Sequence, residues 1–420
     1  MGDTMKPETK QRIAQIRRGE VPEGYQKTRD GIFPADWHIQ KINRWIALAE
    51  RPITLENDKK YRLVTVRRGF GGIDLRGESL GKDILVKNYF RVFHRDFLIS
   101  KRQIAHGACG IVTKFLDGAV VSNEYNVFVP KPGTDIEMFN LMMQLPHYTR
   151  LFYLMSDGVH IEKLLFKTQD WMKRQLAMPP IAEQKKIAAI LTTQDKVIEL
   201  KEKGLTEKLR QKKYLMQQLL TGRKRLPGFR GEWREEYLGK LFRERKETNC
   251  EGLEMLAITG TQGIIPRKEL DLKDNSSEDK SKYLRVCIGD IGYNTMRMWQ
   301  GVSAYSDYEG IVSPAYTILK PSLLVDAKYF AYLFKMPEMT FLFYRFSQGL
   351  VDDTRNLKYE NFKKIKVVYP VDKSEQTAIA QVLSTADREI SLLRQDIEQE
   401  KQKKKALMQL LLTGIVRVCP

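Results

Sequence analysis

Residues 183–222 read EQKKIAAILTTQDKVIELKEKGLTEKLRQKKYLMQQLLTG, and residues 375–414 read EQTAIAQVLSTADREISLLRQDIEQEKQKKKALMQLLLTG. The two stretches align without a gap at a separation of 192 positions (375 minus 183), and 18 of the 40 aligned pairs are identical. Average composition would give roughly two or three identities by chance. The period is too long for a solenoid, whose repeats span about 20 to 50 residues. The chain therefore contains an internal duplication, and its unit is a domain followed by a helix.

Both repeated stretches carry apolar side chains at the seven-residue spacing of a coiled coil. A strict period of seven is typical of helices that supercoil around a partner. Two matching seams in one chain favour an internal pair; packing on a globular core and pairing between chains are the alternatives. A helix of about 39 residues would be about 58 Å long. The seam residues are Leu191, Ile198, Leu205 and Leu219 in the first stretch and Leu383, Ile390, Ile397 and Leu411 in the second.

The ends and the polar seam positions of the two stretches also match. Each stretch ends in Leu-Leu-Thr-Gly, and we expect Gly222 and Gly414 to adopt the left-handed conformation that stops a helix. Lys212 and Lys404 occupy seam positions within basic runs. They are interpreted either as devices that set the register of the pair or as lysines that extend their charged ends to solvent.

The segments between the repeated stretches alternate strand-like and helix-like patterns. Residues 120–130 and 310–319 read as strands, whereas 135–145 and 327–336 read as helices. We predict an α+β fold in which two α/β-type variable domains are separated by two long helices. These helices are expected to form an intramolecular antiparallel coiled coil with pseudo-two-fold symmetry. The predicted boundaries are 1–23 (helical extension), 24–177 (first domain), 178–222 (first helix), 223–371 (second domain), 372–414 (second helix) and 415–420 (tail).

The composition suits a polyanionic partner. The 420 residues include 71 Lys and Arg against 52 Asp and Glu, so the formal net charge is +19. Nucleic acid is the leading candidate, because each phosphate neutralised by a basic side chain releases counterions. A generally soluble basic surface is the alternative. The cysteines lack the spacing of a zinc site, and we expect them to be reduced and buried: Cys109, Cys250, Cys287 and Cys419.

Several classes of protein are disfavoured by the sequence. No apolar run approaches the roughly 18 to 20 residues that cross a bilayer, and the polar N-terminus lacks the apolar core of a signal peptide. A cytoplasmic protein without a membrane partner is expected. There is no Asn-Pro-Pro-aromatic or Asp-Pro-Pro-aromatic string for a flipped adenine, and no phosphate-binding loop; GFGG at 69–72 leads to no clear helix. Asp195, Glu199 and Lys201 have nuclease-like spacing but lie in the heptad helix. We predict no catalysis, no metal and no cofactor of its own.

Candidate DNA contacts are basic and amide side chains that cluster in strand-like surroundings. Arg can make two hydrogen bonds to a guanine edge, and Asn or Gln to an adenine edge. Phosphate contact or a solvated loop is the alternative for each candidate. In TMRMWQ (295–300), a strand would turn Met296 and Met298 to one face and Thr295, Arg297 and Trp299 to the other. The candidates are Lys101, Arg102, His106 and Asn123 in the first domain and Asn294, Thr295, Arg297, Trp299 and Gln300 in the second.

The order of these segments resembles the DNA specificity subunit of type I restriction-modification systems. PPIAEQKKIAAIL (179–191), QLLTGRKRLPGFRGEW (218–233) and GYNTMRMWQGVSAYSDYEGIVSPAY (292–316) stand where that family has similar strings. The resemblance covers nearly the whole chain from about residue 24. The chain departs from the family pattern where PVDKSEQ, and not PPIAEQ, enters the second helix, and residues before 24 have no assigned role.

The resemblance implies a function for each part of the chain. Each variable domain would be a target recognition domain that reads one half of a bipartite, asymmetric double-stranded DNA target. The helices would set the spacing and dock two methyltransferase subunits. S-adenosylmethionine, ATP and Mg²⁺ would bind only to the partners, which are the adenine methyltransferase and the restriction/translocase subunits. A stand-alone two-headed DNA-binding regulator and an unrecognised nuclease are the alternatives. Tight specific DNA binding by the chain alone favours the regulator, and Mg²⁺-dependent cleavage favours the nuclease.

Overall fold

The structure is a computed structural model that describes residues 7–28, 31–85, 88–158, 164–250, 252–260, 263–270 and 279–418. Contacts divide the chain into two compact units. The first comprises Met1–Leu200 and Ile397–Pro420, and the second comprises Lys201–Asp396. Each long helix thus contributes to both units. The predicted domain boundaries, which followed the repeat, stay predictions. Among the described residues, no helix has the length and apolarity needed to span a membrane.

The first unit packs short helices on one of its two main sheets. In chain order its elements are α1 (Pro7–Arg17), β1 (Tyr25–Thr28), β2 (Gly31–Pro34), β3 (His38–Lys41), β4 (Ile46–Leu48), β5 (Pro52–Ile53), β6 (Lys60–Val66), β7 (Ile73–Leu80), β8 (Tyr89–Arg91), β9 (Phe97–Ser100), β10 (Cys109–Ile111), β11 (Val120–Ser122), β12 (Tyr125–Pro130), α2 (Ile136–Met143), α3 (Pro146–Leu154), β13 (Ser156–Asp157), β14 (Leu165–Phe166), α4 (Thr168–Met172), β15 (Gln175–Met178) and α5 (Ile181–Leu219). One sheet has the order β5-β8-β11-β6-β7 and the other β10-β9-β12-β4. The main core lies on the second sheet, where the rings of Phe128 and Trp171 are 5.7 Å apart.

The second unit repeats this plan. Its elements are β16 (Trp233–Tyr237), α6 (Leu238–Leu241), β17 (Phe242–Glu244), β18 (Leu256–Ile258), β19 (Ile264–Pro266), β20 (Leu284–Val286), β21 (Ile291–Asn294), β22 (Ser303–Tyr305), β23 (Gly310–Val312), β24 (Tyr316–Pro321), α7 (Ala327–Leu333), α8 (Pro337–Phe346), α9 (Tyr359–Phe362), β25 (Lys366–Pro370) and α10 (Lys373–Leu411). The main sheet has the order β17-β24-β21-β22. Its core contains a cluster of aromatic rings in which Phe242 and Phe330 meet edge to face at 5.2 Å.

The structure confirms the helices expected in the variable segments and corrects the strands. Residues 135–145 and 327–336 contain α2 and α7, as predicted. Residues 120–130 form two strands, because β11 belongs to one sheet of the first unit and β12 to the other. Residues 310–319 are divided in the same way, since β23 pairs with β20 and β24 lies in the main sheet. In both units the chain changes sheets where a single strand was expected.

Helices α5 and α10 pair in opposite directions, which confirms the antiparallel coiled coil. Each helix contains 39 residues. As residue numbers rise along α5, the numbers of their ion-pair partners on α10 fall. The pairs are Asp195 with Lys404 (2.6 Å) in the first unit, and Lys201 with Asp396 (2.8 Å), Lys208 with Glu389 (2.6 Å) and Lys212 with Asp387 (2.5 Å) in the second. Seven of the eight seam residues are buried, and Leu205 is half-buried. Exposed ion pairs add only about 0 to 1 kcal/mol each, so the apolar seam supplies most of the stability.

The Glu-Gln dipeptide that begins both repeated stretches is fully buried. It anchors the start of α5 in the first unit and the start of α10 in the second. In the first unit, Gln184 Oε1 accepts the N–H of Asp135 at 2.8 Å, and Nε2 donates to the carbonyls of Gly133 (3.0 Å) and Pro179 (2.8 Å). The same three bonds recur in the second unit, where Gln376 bonds to the N–H of Asp326 (2.7 Å) and to the carbonyls of Leu324 (3.2 Å) and Pro370 (2.9 Å). The duplication therefore extends to the hydrogen bonds that anchor the helices.

The glutamates of the two dipeptides form ion pairs with arginines that follow the long helices. Glu375, which is fully buried, pairs with Arg225, and Glu183 pairs with Arg417 at 2.8 Å. Arg417 also bonds to Asp36 at 2.7 Å. Since Arg417 follows α10, the residues after the second helix complete the first unit.

The glycines that end the helices have the predicted left-handed backbone, with φ of +69° at Gly222 and +71° at Gly414. Gly222 lies against the ring of Trp233, and Gly414 lies against Trp37. Helix α1 contacts the chain next to Gly414, because Arg12 donates to the carbonyl of Ile415 at 3.1 Å. Helix α1 thus packs beside the residues that follow α10.

Candidate nucleic-acid interface

Most of the candidate DNA-contacting residues lie on one loop of each unit. The loop joins β9 to β10 in the first unit and β21 to β22 in the second, and each contains a single 3₁₀ turn, Ile104–His106 or Met298–Gln300. Each turn ends at a glycine with left-handed backbone, Gly107 (φ +73°) or Gly301 (φ +78°). Glycine suits this conformation because it has no Cβ to strain. We call the two segments, residues 101–107 and 295–301, the reading loops.

The backbone of each reading loop is held by the same pair of contacts. In the first unit, the N–H of Lys101 donates to the carbonyl of Glu124 (2.9 Å), and the Lys101 carbonyl accepts from Phe166 (3.0 Å). In the second unit, the N–H of Thr295 donates to Ala315 (3.3 Å), and the Thr295 carbonyl accepts from Leu357 (2.8 Å). The two loops therefore share one backbone frame and present different side chains on it.

In the first unit, Lys101, Arg102 and Asn123 lie together. Lys101 Nζ donates to the carbonyl of Asn123 at 2.5 Å, and Arg102 Nε donates to Glu124 Oε2 at 2.6 Å. Arg102 and Asn123 are exposed, at the point where the chain passes from β11 to β12. Sequence reasoning missed Glu124, although it directly follows Asn123; its carboxylate neutralises Arg102.

His106 lies at the other end of this reading loop and contacts the turn between β6 and β7. The N–H of Gly69 donates to the His106 carbonyl at 2.7 Å, and the N–H of Phe70 donates to the Gly107 carbonyl at 2.9 Å. The glycine-rich GFGG string is therefore a hairpin turn. It places the exposed Arg67 and Arg68 beside the reading loop.

In the second unit, three candidates shape the reading loop. Asn294 Oδ1 accepts from the N–H of Met296 (3.0 Å), Thr295 Oγ1 donates to the carbonyl of Ala315 (2.7 Å), and Trp299 Nε1 donates to the carbonyl of Met296 (2.9 Å). Arg297 and Gln300 are exposed. These two are the best placed of the five to meet a ligand.

The strand-like alternation expected for residues 295–300 was wrong. Met298 is fully buried whereas Met296 is 49% exposed, so the two methionines do not share a face. The cause is that a turn and a 3₁₀ helix, and not a strand, follow Asn294. Strand β21 ends at Asn294, where the chain turns back towards its partner β22.

An aromatic and cationic stack next to the second reading loop was not found from the sequence. The ring of Trp299 meets that of Tyr344 edge to face at 6.1 Å. The guanidinium of Arg355 lies 4.0 Å from the centre of the Tyr344 ring and donates to its hydroxyl at 2.8 Å. Of these residues, Tyr344 repeats Tyr153 at a separation of 191 positions, whereas Trp299 has Ala105 as its counterpart in the first reading loop.

Other groups singled out as possible catalysts have structural partners. Asp195 and Lys201 of the nuclease-like triplet pair with α10. Among the described residues, no group of three or more His, Cys, Asp or Glu side chains is placed to hold a metal ion.

Cys109 is buried, which raises the pKa of its thiol, whereas Cys250 and Cys287 are only half-buried. Cys419 lies outside the described residues.

Comparison with known proteins agrees with this duplicated arrangement. The family model of the type I restriction modification DNA specificity domain matches residues 49–211 and again 256–402. The chain belongs to this specificity family. Its DNA-recognition role implies DNA and the other subunits of a type I restriction-modification complex as partners.

Relatives of the specificity family resemble the chain over nearly its full length. A putative type I restriction enzyme MjaX specificity subunit of Methanocaldococcus jannaschii is 22% identical, with 94% of this chain and 97% of that protein covered. The HsdS subunit from Thermoanaerobacter tengcongensis has a TM-score of 0.50 at 14% identity, covering 91% of this chain and 98% of that one. The S subunit of the M. genitalium type I system has a TM-score of 0.55 at 13% identity, covering 89% and 96%. These solved structures share the fold.

Proposed function

We propose that this specificity subunit reads a bipartite, asymmetric double-stranded DNA target, with one half read by each unit. The observation that carries the proposal is the pair of reading loops, which have equivalent backbone contacts and different side chains. One frame used twice with different residues presents two different sets of donors and acceptors. Two unlike half-sites follow from it.

The side chains of the two loops divide into base-reading and loop-forming groups. Arg297 and Gln300 are exposed and have the chemistry to read guanine and adenine edges. Arg102 would exchange Glu124 for DNA, and Lys101, Asn123 and His106 would lie beside it. Asn294, Thr295 and Trp299 would act mainly by holding the second loop in shape. The net charge of +19 supplies the sequence-independent attraction to phosphates.

The paired helices are proposed to set the distance between the half-sites and to dock two methyltransferase subunits. A helix of about 58 Å limits that distance to about 17 base pairs at ~3.4 Å per pair. Recognition is the whole contribution of this chain. Adenine methylation would use S-adenosylmethionine in the methyltransferase, and cleavage would need ATP and Mg²⁺ in the restriction/translocase subunits.

Sequencing the methylated bases of a host with and without this chain tests the proposal. We expect methylation at one bipartite motif that depends on the chain. Exchange of residues 24–177 for another such domain should change one half of the motif only. Insertion of one heptad into α5, with a matching heptad in α10, should change the spacing and leave both half-sites intact. A change of half-site sequence after the heptad insertion contradicts the division of labour.

The stand-alone regulator is tested with the purified chain. We expect DNA binding by the chain alone to be much weaker and less specific than binding by its complex with methyltransferase subunits. Tight sequence-specific binding by the chain alone, measured in a gel-shift assay, would favour the regulator.

A further inference from the structure

The hairpin β6–β7 of the first unit touches the reading loop with its tip. We propose that Arg67 and Arg68, at this tip, read at least one base pair of the first half-site beside those reached by residues 101–107. The inference rests on the proposed function, because it assigns additional base contacts to the same DNA. It concerns the first unit alone.

The tip is fixed against the reading loop by backbone and side-chain contacts. The two hydrogen bonds from Gly69 and Phe70 join it to the end of the 3₁₀ turn. Phe70 has a left-handed backbone, with φ of +58°. Its ring atoms come within 3.0 Å of the position that a Cβ on Gly107 would occupy. Two elements held this closely will meet the same stretch of DNA.

The tip of the hairpin has the exposure and the charge to contact DNA. Strands β6 and β7 pair from Lys60 with Leu80 to Val66 with Ile73, and the N–H of Arg67 closes the turn on the carbonyl of Gly72 at 2.9 Å. Strand β6 also pairs with β11, and Val64, Val66 and Ile73 are buried in a core, so the exposed part of the hairpin is its turn at 67–72. Arg67 and Arg68 are exposed, and Arg67 pairs across the hairpin with Asp74.

The second unit has the corresponding hairpin without these features. Strands β18 and β19 contain three residues each, whereas β6 contains seven and β7 eight. The N–H of Thr259 donates to the carbonyl of Gly263 at 2.9 Å, as that of Arg67 does to Gly72. The residues at the start of the turn are Thr259 and Gly260, in place of two arginines. The additional reading contact therefore belongs to the first half-site only.

The test uses the complete subunit, co-expressed with its methyltransferase, and compares methylated motifs and affinity for the matched site. Arg67→Ala with Arg68→Ala should abolish the preference at one or more positions of the first half-site. Affinity should fall about 10- to 100-fold, since a bidentate base contact gives that order of discrimination. Lysine at both positions should restore affinity for phosphates without restoring the base preference. The second half-site should be unchanged.

Lys60→Ala is the matched control, because it removes one charge at the opposite end of the same hairpin, about 23 Å from the tip at ~3.3 Å per residue. Lys60 pairs with Glu78 at 2.7 Å, and its loss should leave the motif intact. A uniform loss of affinity with an unchanged motif, or wild-type behaviour of the folded double variant, overturns the inference. If the wild-type complex shows no bipartite motif, the proposed function itself fails. Thermal unfolding of each variant establishes whether it is folded. If the double variant does not fold, the single substitution Arg68→Ala takes its place in the test.

Discussion

Gln376→Met should loosen the attachment of α10 to the second unit. The substitution keeps a side chain of similar length and removes its polar atoms. Gln376 is fully buried and makes three hydrogen bonds, to Asp326, Leu324 and Pro370. Asp326 is also the residue whose side chain caps α7, by accepting from Tyr329 at 3.0 Å. The substitution therefore disturbs both the long helix and the start of α7.

The magnitude follows from the three lost bonds. A buried hydrogen bond adds about 1 kcal/mol net, and a buried group left unpaired costs about 1 to 3 kcal/mol. Three bonds give a loss of about 3 kcal/mol or more, and local opening of the unit should become roughly 100-fold more frequent. Hydrogen exchange measured by mass spectrometry will report this opening as faster exchange of the amides in α7 and in the first turns of α10.

The controls are chosen from the same helices. Gln211→Met changes an exposed glutamine of α5 and should have little effect. Gln184→Met removes the equivalent three bonds in the first unit and should accelerate exchange in α2 and not in α7. Equal exchange in the Gln376→Met and Gln211→Met proteins would refute the reasoning.

Three further substitutions test other contacts. Arg225→Met leaves the buried Glu375 unpaired and should lower the unfolding free energy by about 3 to 5 kcal/mol, measured by urea denaturation; an effect below about 1 kcal/mol contradicts this. Gly107→Ala, strained by its left-handed backbone and by Phe70, should cost about 1 to 3 kcal/mol and weaken DNA binding in a titration. Burial lowers the pKa of Lys335 in the folded protein, so stability should rise with pH from that pKa towards the unfolded value near 10.5. Lys335→Met should abolish the rise, and an unchanged pH profile contradicts the assignment.

The long helices were predictable because their signal is local and repeated. A heptad period fixes which side chains face the partner helix, and the duplication identified that partner within the chain. The antiparallel direction was predicted together with the pairing, and the order of the cross-helix ion pairs confirms it. The role of the Glu-Gln dipeptide did not follow, because its partners lie far away in sequence: Asp135 lies 49 positions before Gln184, and Arg417 lies 234 positions after Glu183.

The reading loops were found in part. Residue type led to structurally equivalent loops in the two units, because arginine and amide side chains cluster where strands end. The sequence did not separate residues that shape the loop from those that face outward. The hydroxyl of Thr295 donates to the carbonyl of Ala315 and so holds the loop, whereas Arg297, two positions later, is exposed. A 3₁₀ turn of three residues has no periodicity to recognise, and the hairpin tip at Arg67 comes beside His106 only through tertiary contacts.

A second pair of buried contacts shows how far the duplication extends beyond recognisable sequence. Asp96 accepts from Arg51 at 2.5 Å in the first unit, and Asp290 accepts from Arg245 at 2.7 Å in the second. The arginines and the aspartates of the two pairs are each separated by 194 positions, whereas the repeated helices are separated by 192. Small insertions moved these pairs out of register with the helices, and the alignment of the repeated stretches does not reveal them.

Both Leu411 and Leu412 belong to the core of the first unit, whose remaining residues precede Leu200. At roughly 5 to 20 residues per second, a ribosome needs about 10 to 40 s to extend the chain from Leu200 to Leu412. The second unit is one uninterrupted segment, so all of its residues have been synthesised before that interval ends. During translation, the half of the molecule that is made first is completed last.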